Sequence, residues 1–157
     1  MDQVKKYWPL IVLISVSALM AGILGRTNPN LLMHAFMGFS LILFATLKLF
    51  NPSKFADGFQ MYDLLARYFR PYAYIYPLLE LALGIAWFTF LEPKYTAWAT
   101  IALFGFGAIG VLIAIKNKLN VNCACMGNVL QVPLSTVTLF EDFLMIGMSA
   151  AMLYNIQ

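Results

Sequence analysis

Charge is the first thing this chain runs short of: Asp, Glu, Lys and Arg make up only 11% of it. Soluble domains average about a quarter charged residues, so water is not the main solvent here. Histidine occurs once, at His34, and cysteine twice, at Cys123 and Cys125. A structural zinc site wants four ligands, and two cysteines with one distant histidine do not supply them. The basic residues form no cluster interleaved with aromatics, which argues against nucleic acid as a partner. No motif signals a bound organic cofactor, and none is expected.

What the sequence has instead is apolar length. Hydrophobic residues are 62% of the chain and the mean hydropathy is +0.78. Runs long enough for the roughly 20 residues of a membrane-crossing helix fall at about 8–25, 31–50, 72–91, 95–115 and 135–154. Each must be helical, because hydrocarbon offers backbone groups no other hydrogen-bond partner. Turn chemistry separates them: Asn28-Pro29-Asn30, Asn51-Pro52-Ser53, Arg70-Pro71, Glu92-Pro93 and Val132-Pro133. The first run follows Lys5 and Lys6 as a secretory signal would. It exceeds a signal core and no small-x-small site follows, so it reads as a retained transmembrane helix.

Between the second and third runs, Phe55, Phe59, Tyr62, Ala66 and Phe69 recur at helical spacing, with Lys54, Asp57, Asp63 and Arg67 at other positions. That pattern predicts an amphipathic helix over 53–70 lying in the membrane interface. The expected architecture is an all-α integral membrane protein. One domain, residues 1–157, holds five transmembrane helices and this interfacial helix. Aromatics including Trp8, Tyr72, Tyr74, Tyr76, Trp87, Trp98 and Tyr154 are expected at the membrane boundaries. Small residues at Ser17, Ala21 and Gly25, at Gly105, Gly107 and Gly110, and at Gly147 and Ala151 predict close helix packing.

Lys and Arg set the orientation. Lys5, Lys6, Lys54, Arg67, Arg70, Lys116 and Lys118 fall on one side of a five-crossing chain, with Arg26 and Lys94 opposite. The N-terminus and the segment bearing Cys123 and Cys125 are then cytoplasmic and the C-terminus outside. The net charge of +3 belongs to this bias.

Two features carry chemistry. Cys123-Ala124-Cys125 sits in a short polar stretch with Met126 beside it. Such a pair closes a disulfide only through a small, strained and hence easily reduced ring. As thiolates it also chelates a soft ion such as Cu(I), Zn(II) or Hg(II), with Met126 as a further soft donor. Cys123, Cys125 and Met126 are thus the candidate metal ligands of an alternative reading. The plain structural reading is two small residues in a loop.

The second feature is the set of ionisable residues in the apolar runs: Lys48, Glu80, Glu141 and Asp142. Such groups are expensive in a bilayer and are functional candidates by default. Helix direction puts all four in the half of the bilayer next to the cysteine segment, with Glu80 about 12 Å into its helix. The structural reading is mutual neutralisation; the functional one is control of the thiolate fraction and proton relay. Glu141 and Asp142 are adjacent and point about 100° apart, so one of them is expected to face the bundle interior.

Phe44-Ala-Thr-Leu-Lys48-Leu-Phe-Asn-Pro52, the Phe/Tyr-rich segment after it, Pro77-Leu-Leu-Glu80-Leu81 and Asn122-Cys-Ala-Cys-Met-Gly127 occur in that order. Together they make residues 36–154 resemble the MauE branch of the MauE/DoxX family of redox-associated membrane proteins. The family's usual thiol motif is Cys-Gly-Cys-Phe-Gly, from which Ala124 and Met126 depart. The resemblance implies a four-helix core, to which the first helix here is additional, and thiol-disulfide chemistry that supports maturation of exported proteins. It also implies thioredoxin-like or heavy-metal-binding domains as partners, and a thiol pair on the cytoplasmic side is expected to exchange with a thioredoxin-like or glutaredoxin-like protein. An export role would suit outward thiols, whereas the charge count, on which several loops agree, places them inward.

Three readings follow. The first is an integral membrane thiol-disulfide protein of the bacterial inner membrane, with candidate catalytic residues Cys123, Cys125, Glu80, Lys48, Glu141 and Asp142. The others are a soft-metal binding or transport protein and a non-catalytic partner in a membrane assembly.

Overall fold

The computed structural model describes residues 2–25, 28–117 and 134–156, with side chains for 11–25, 28–117 and 139–154. Cys123, Cys125 and Met126 lie outside the described residues. Among those described there are six helices and no strand: α1 (Asp2–Leu24), α2 (Pro29–Phe50), α3 (Pro52–Phe59), α4 (Arg70–Phe88), α5 (Pro93–Lys116) and α6 (Leu134–Ile156). Prolines near the first residue start four of them, where a missing N–H costs no intrahelical bond. Asn28 caps α2 by accepting from the Asn30 amide, and Asn51 caps α3 by accepting from Lys54.

Two helices among the described residues, α2 and α5, are long and apolar enough to cross a membrane; Ile11–Leu24 adds a shorter apolar stretch. Large apolar side chains also face outward along the other helices, including Ile23, Leu78, Ile85, Phe143 and Tyr154.

The segment expected as one interfacial helix is shorter and more folded. α3 stops at Phe59 and hydrogen-bonded turns carry the chain to Phe69. Past the break, Asp63 starts a separate turn: its Oδ1 accepts from the amides of Leu65 and Ala66 at 2.9 and 2.8 Å, which keeps those amides from continuing the helix. Phe55, Phe59, Tyr62 and Ala66 are buried as the apolar face requires, but Phe69 is exposed and Asp63 is only 1% exposed. Burial pushes the Asp63 carboxyl up from its ordinary range, against those two amide bonds, which lower it.

α4 ends at Phe88, short of the expected 91. The reversal into α5 puts Phe90 and Glu92 at φ of 57° and 40°, a left-handed region that costs non-glycine residues energy. Hydrogen bonds hold it: Leu91 N–H to Ala86 O at 2.9 Å and Thr96 Oγ1 to Leu91 O at 2.7 Å. Trp87, expected at the boundary, is fully buried and donates Nε1–H to Thr100 Oγ1 at 2.9 Å. Tyr76 is likewise interior.

α1 packs along α2 with Ser17 and Ala21 buried and Gly25 against Leu32. The crossing of α2 and α4 rests on a pair the periodic small-residue pattern does not include, Gly38 and Gly84. A Cβ on Gly38 would lie 2.8 Å from Phe88 N and 2.9 Å from Gly84 O; one on Gly84 would lie 2.9 Å from Ile42 N. On α5, Gly110 admits the backbone of Tyr62, whereas Gly105, and Gly147 on α6, face open space and make no close approach.

Gly38→Ala is expected to destabilise the protein by about 1–3 kcal/mol through overpacking. Gly105→Ala should be neutral or stabilising by up to about 1 kcal/mol. Thermal unfolding of both variants in detergent measures the difference.

Candidate functional site

Lys48 stands in the last turn of α2 with its side chain 4% exposed. Helical phase points it inward, beside Phe44 and Ala45 of the same buried stripe. Its Nζ donates to Glu80 Oε2 of α4 at 2.6 Å, and Glu141 Oε1 of α6 lies at 3.9 Å. The Tyr76 and Phe55 rings lie 5.4 and 5.9 Å from the ammonium, within cation–π range. Residues far apart in sequence, on α2, α4 and α6, thus meet around one charge.

All four ionisable residues singled out from the sequence come together. The expectation that one of the α6 acids faces inward is corrected: Glu141 and Asp142 are each only 3% exposed. α6 packs on α5 and also meets α2, and Phe55, Phe59, Tyr62 and Tyr76 line the same cavity as the two acids, so both have protein neighbours.

The cluster is under-partnered. Glu80 Oε1, Glu141 Oε1 and Asp142 Oδ2 are buried and accept no hydrogen bond. The two α6 acids line a cavity of about 10 Å³ together with Lys48, Tyr62, Tyr76 and Gly107, among others. Tyr62 lies in the loop after α3; burial first, then the Asp142 and Asp63 carboxyls, push its hydroxyl well above the usual range. It therefore stays neutral and able to donate.

One ammonium faces three carboxyl groups, and taking uncompensated charge from water costs several kcal/mol per ion. Such a group can hold and pass protons, and it can fix the field at its end of the bundle. Among the described residues no set of three His, Asp or Glu side chains is arranged to hold a metal. The ammonium occupies the centre that a cation would need.

Three contributors were not visible as such in the sequence. Tyr76 precedes Glu80 by one helical turn, a spacing of four that puts both on one face of α4, but an aromatic near a helix end reads as interfacial. Tyr62 reads as apolar-face packing, and Gly107 as helix packing. His34 belongs elsewhere: it lies about 21 Å from Lys48 along α2 at 1.5 Å per residue. Its Nδ1–H donates to Trp87 O at 3.3 Å and its ring lies against Trp87 and Phe90.

A family model described as methylamine utilisation protein MauE matches residues 26–155. The match begins after α1 and takes in all four members of the cluster. Comparison with curated proteins and with solved structures gave no match.

Lys48→Met leaves three buried carboxyls without their cation and is expected to destabilise the protein by about 3–5 kcal/mol. Adding Glu80→Leu should restore part of that loss, so the double-mutant cycle read by denaturation gives a coupling well above zero. Additive losses would mean the pair is not formed.

Proposed function

The chain belongs to the MauE family, and on that premise we propose a membrane thiol-disulfide protein whose Cys123/Cys125 pair exchanges electrons with a thioredoxin-like or glutaredoxin-like partner. Membership points to a membrane protein of the methylamine-utilisation system. Five crossings in a bacterial inner membrane account for the outward apolar faces and the Lys/Arg bias, with the N-terminus and the thiol segment cytoplasmic.

The observation that carries the reading is the position of the acids. The only two thiols of the chain precede α6, and α6 turns Glu141 and Asp142 onto the Lys48–Glu80 pair near its start. A buried cluster of acids and one ammonium at that end of the bundle is suited to setting thiolate fraction and relaying protons. Lys48, Glu80, Glu141 and Asp142 act here as positioning and proton-handling residues, and the sulfurs carry the exchange.

In the exchange, the Cys123 thiolate attacks a sulfur of the partner's disulfide, forming a mixed disulfide and releasing one partner thiolate. Cys125, as thiolate, attacks Cys123 Sγ and releases the second partner thiolate. The partner ends as a dithiol, having gained two electrons and the two protons the cysteines gave up, and Cys123–Cys125 ends as a disulfide. The reverse sequence reduces this pair.

Met126, a thioether next to the pair, favours the second reading: soft-metal capture by Cys123, Cys125 and Met126. Cys125→Ser should trap a mixed disulfide with the partner under oxidising challenge, visible as a reducible band on a gel. Stoichiometric Cu(I) binding lost in Cys123→Ser, with no trapped species, would move the function to metal handling. Full function in the Cys123→Ala/Cys125→Ala variant would leave only the assembly role.

A further inference from the structure

Gly107 leaves a space in the wall of α5 opposite two polar groups. A Cβ there would lie 3.6 Å from the Tyr76 hydroxyl and 3.8 Å from Asp142 Oδ2, ordinary contact distances. The cavity at this point has a volume of about 10 Å³, close to the least that holds a single water molecule. Asp142 Oδ2 and Glu141 Oε1 are buried acceptors without hydrogen-bond partners, and leaving such atoms unmet carries their full desolvation penalty. A water with two to four polar partners removes that cost.

The groups facing the cavity set its charge. α2 supplies Lys48, α4 supplies Tyr76, the segment after α3 supplies Tyr62, and α6 supplies Glu141 and Asp142; α5 adds the uncharged Gly107 and Val111. Glu80 of α4 joins the group through its pair with Lys48. Asp63 adjoins them with Oδ1 turned onto its own backbone. One ammonium balances one carboxylate, so two carboxyl groups remain to be neutralised.

We infer that the cavity beside Gly107 binds one water molecule linking Tyr76 to Asp142, and that the carboxyl cluster around it holds two exchangeable protons. The site goes beyond the thiol reading and does not depend on it. Gly107 is a positioning residue: its missing side chain makes the room, and Tyr76 turns a helix–helix contact into a polar one.

Infrared spectroscopy of the full chain in lipid at neutral pH reads this directly. Two buried carboxylic-acid C=O bands are expected after subtraction of an Asp63→Asn background, both shifting on exchange into D2O. Asp142→Asn should remove one. Gly107→Ala, whose methyl fits, should keep helicity and thermal stability while moving the Asp142 band to higher frequency as its hydrogen bond to water is lost.

Absence of acid bands at neutral pH would overturn the proposal, as would a Gly107→Ala spectrum identical to that of the unaltered chain. Loss of the bands on adding NaCl would also overturn it, since a metal cation would then take the protons' place. The bands should persist in Cys123→Ser/Cys125→Ser. Failure of thiol exchange in the unaltered chain would remove the redox reading alone, and vanishing bands in the serine variant would remove this one.

Discussion

A single ammonium inside the bundle organises the rest of the molecule. Lys48 is held 2.6 Å from Glu80 and 3.9 Å from Glu141, with Tyr76 and Phe55 as its aromatic walls. A buried cation of this kind is not a source of net stability, because desolvation opposes the Coulomb attraction. What it supplies is a definite arrangement. α2, α4 and α6 have a common charged contact that apolar packing alone would not fix, and their rotations about their axes are set by it.

Backbone proximity brings those side chains within reach. Gly38 and Gly84 let α2 and α4 approach until a Cβ on either would meet the other helix's backbone. Lys48 and Glu80 lie beyond these glycines on the same two helices, on the side of the crossing toward α3. The α3 segment then closes the end of the bundle: Phe55 stacks on Phe59 and Tyr76, Phe59 lies tilted against Tyr76, and Tyr62 meets Phe59 edge-on. Gly110 is the counterpart on α5: a Cβ there would lie 2.9 Å from the Tyr62 carbonyl oxygen. The polar cluster is thus roofed by aromatics and bordered by glycines, a polar interior inside an apolar shell.

Much of this was readable in the residues themselves. Proline and asparagine punctuation gave the helix starts, and the cost of charge in lipid picked out Lys48, Glu80, Glu141 and Asp142 before any geometry was known. Helical phase alone misled for Glu141 and Asp142, because it assumes one narrow buried face, whereas α6 packs on α5 and also meets α2, and both acids line one cavity. The α3 segment misled in another way. Periodicity marks the apolar face but is blind to Asp63, whose side chain takes the amides of Leu65 and Ala66 and keeps the helix from running on to Phe69. Tyr76 and Trp87 were hidden by composition, since an aromatic near a helix end looks interfacial whether it faces lipid or core. Gly38 and Gly84 were hidden because they are on different helices, and close approach depends on the pair.

The contact between the Lys48 ammonium and the α4 and α6 carboxyls is the point on which both the fold and the functional reading turn. Solid-state NMR on the protein in lipid bilayers, with 15N-lysine and 13C-labelled glutamate, measures it as a dipolar coupling. The account predicts a strong coupling from Lys48 Nζ to the Glu80 carboxyl carbon that disappears in Glu80→Gln, with a weaker one to Glu141. A Lys48 resonance with no carboxyl coupling and the exchange behaviour of a solvated ammonium would contradict it.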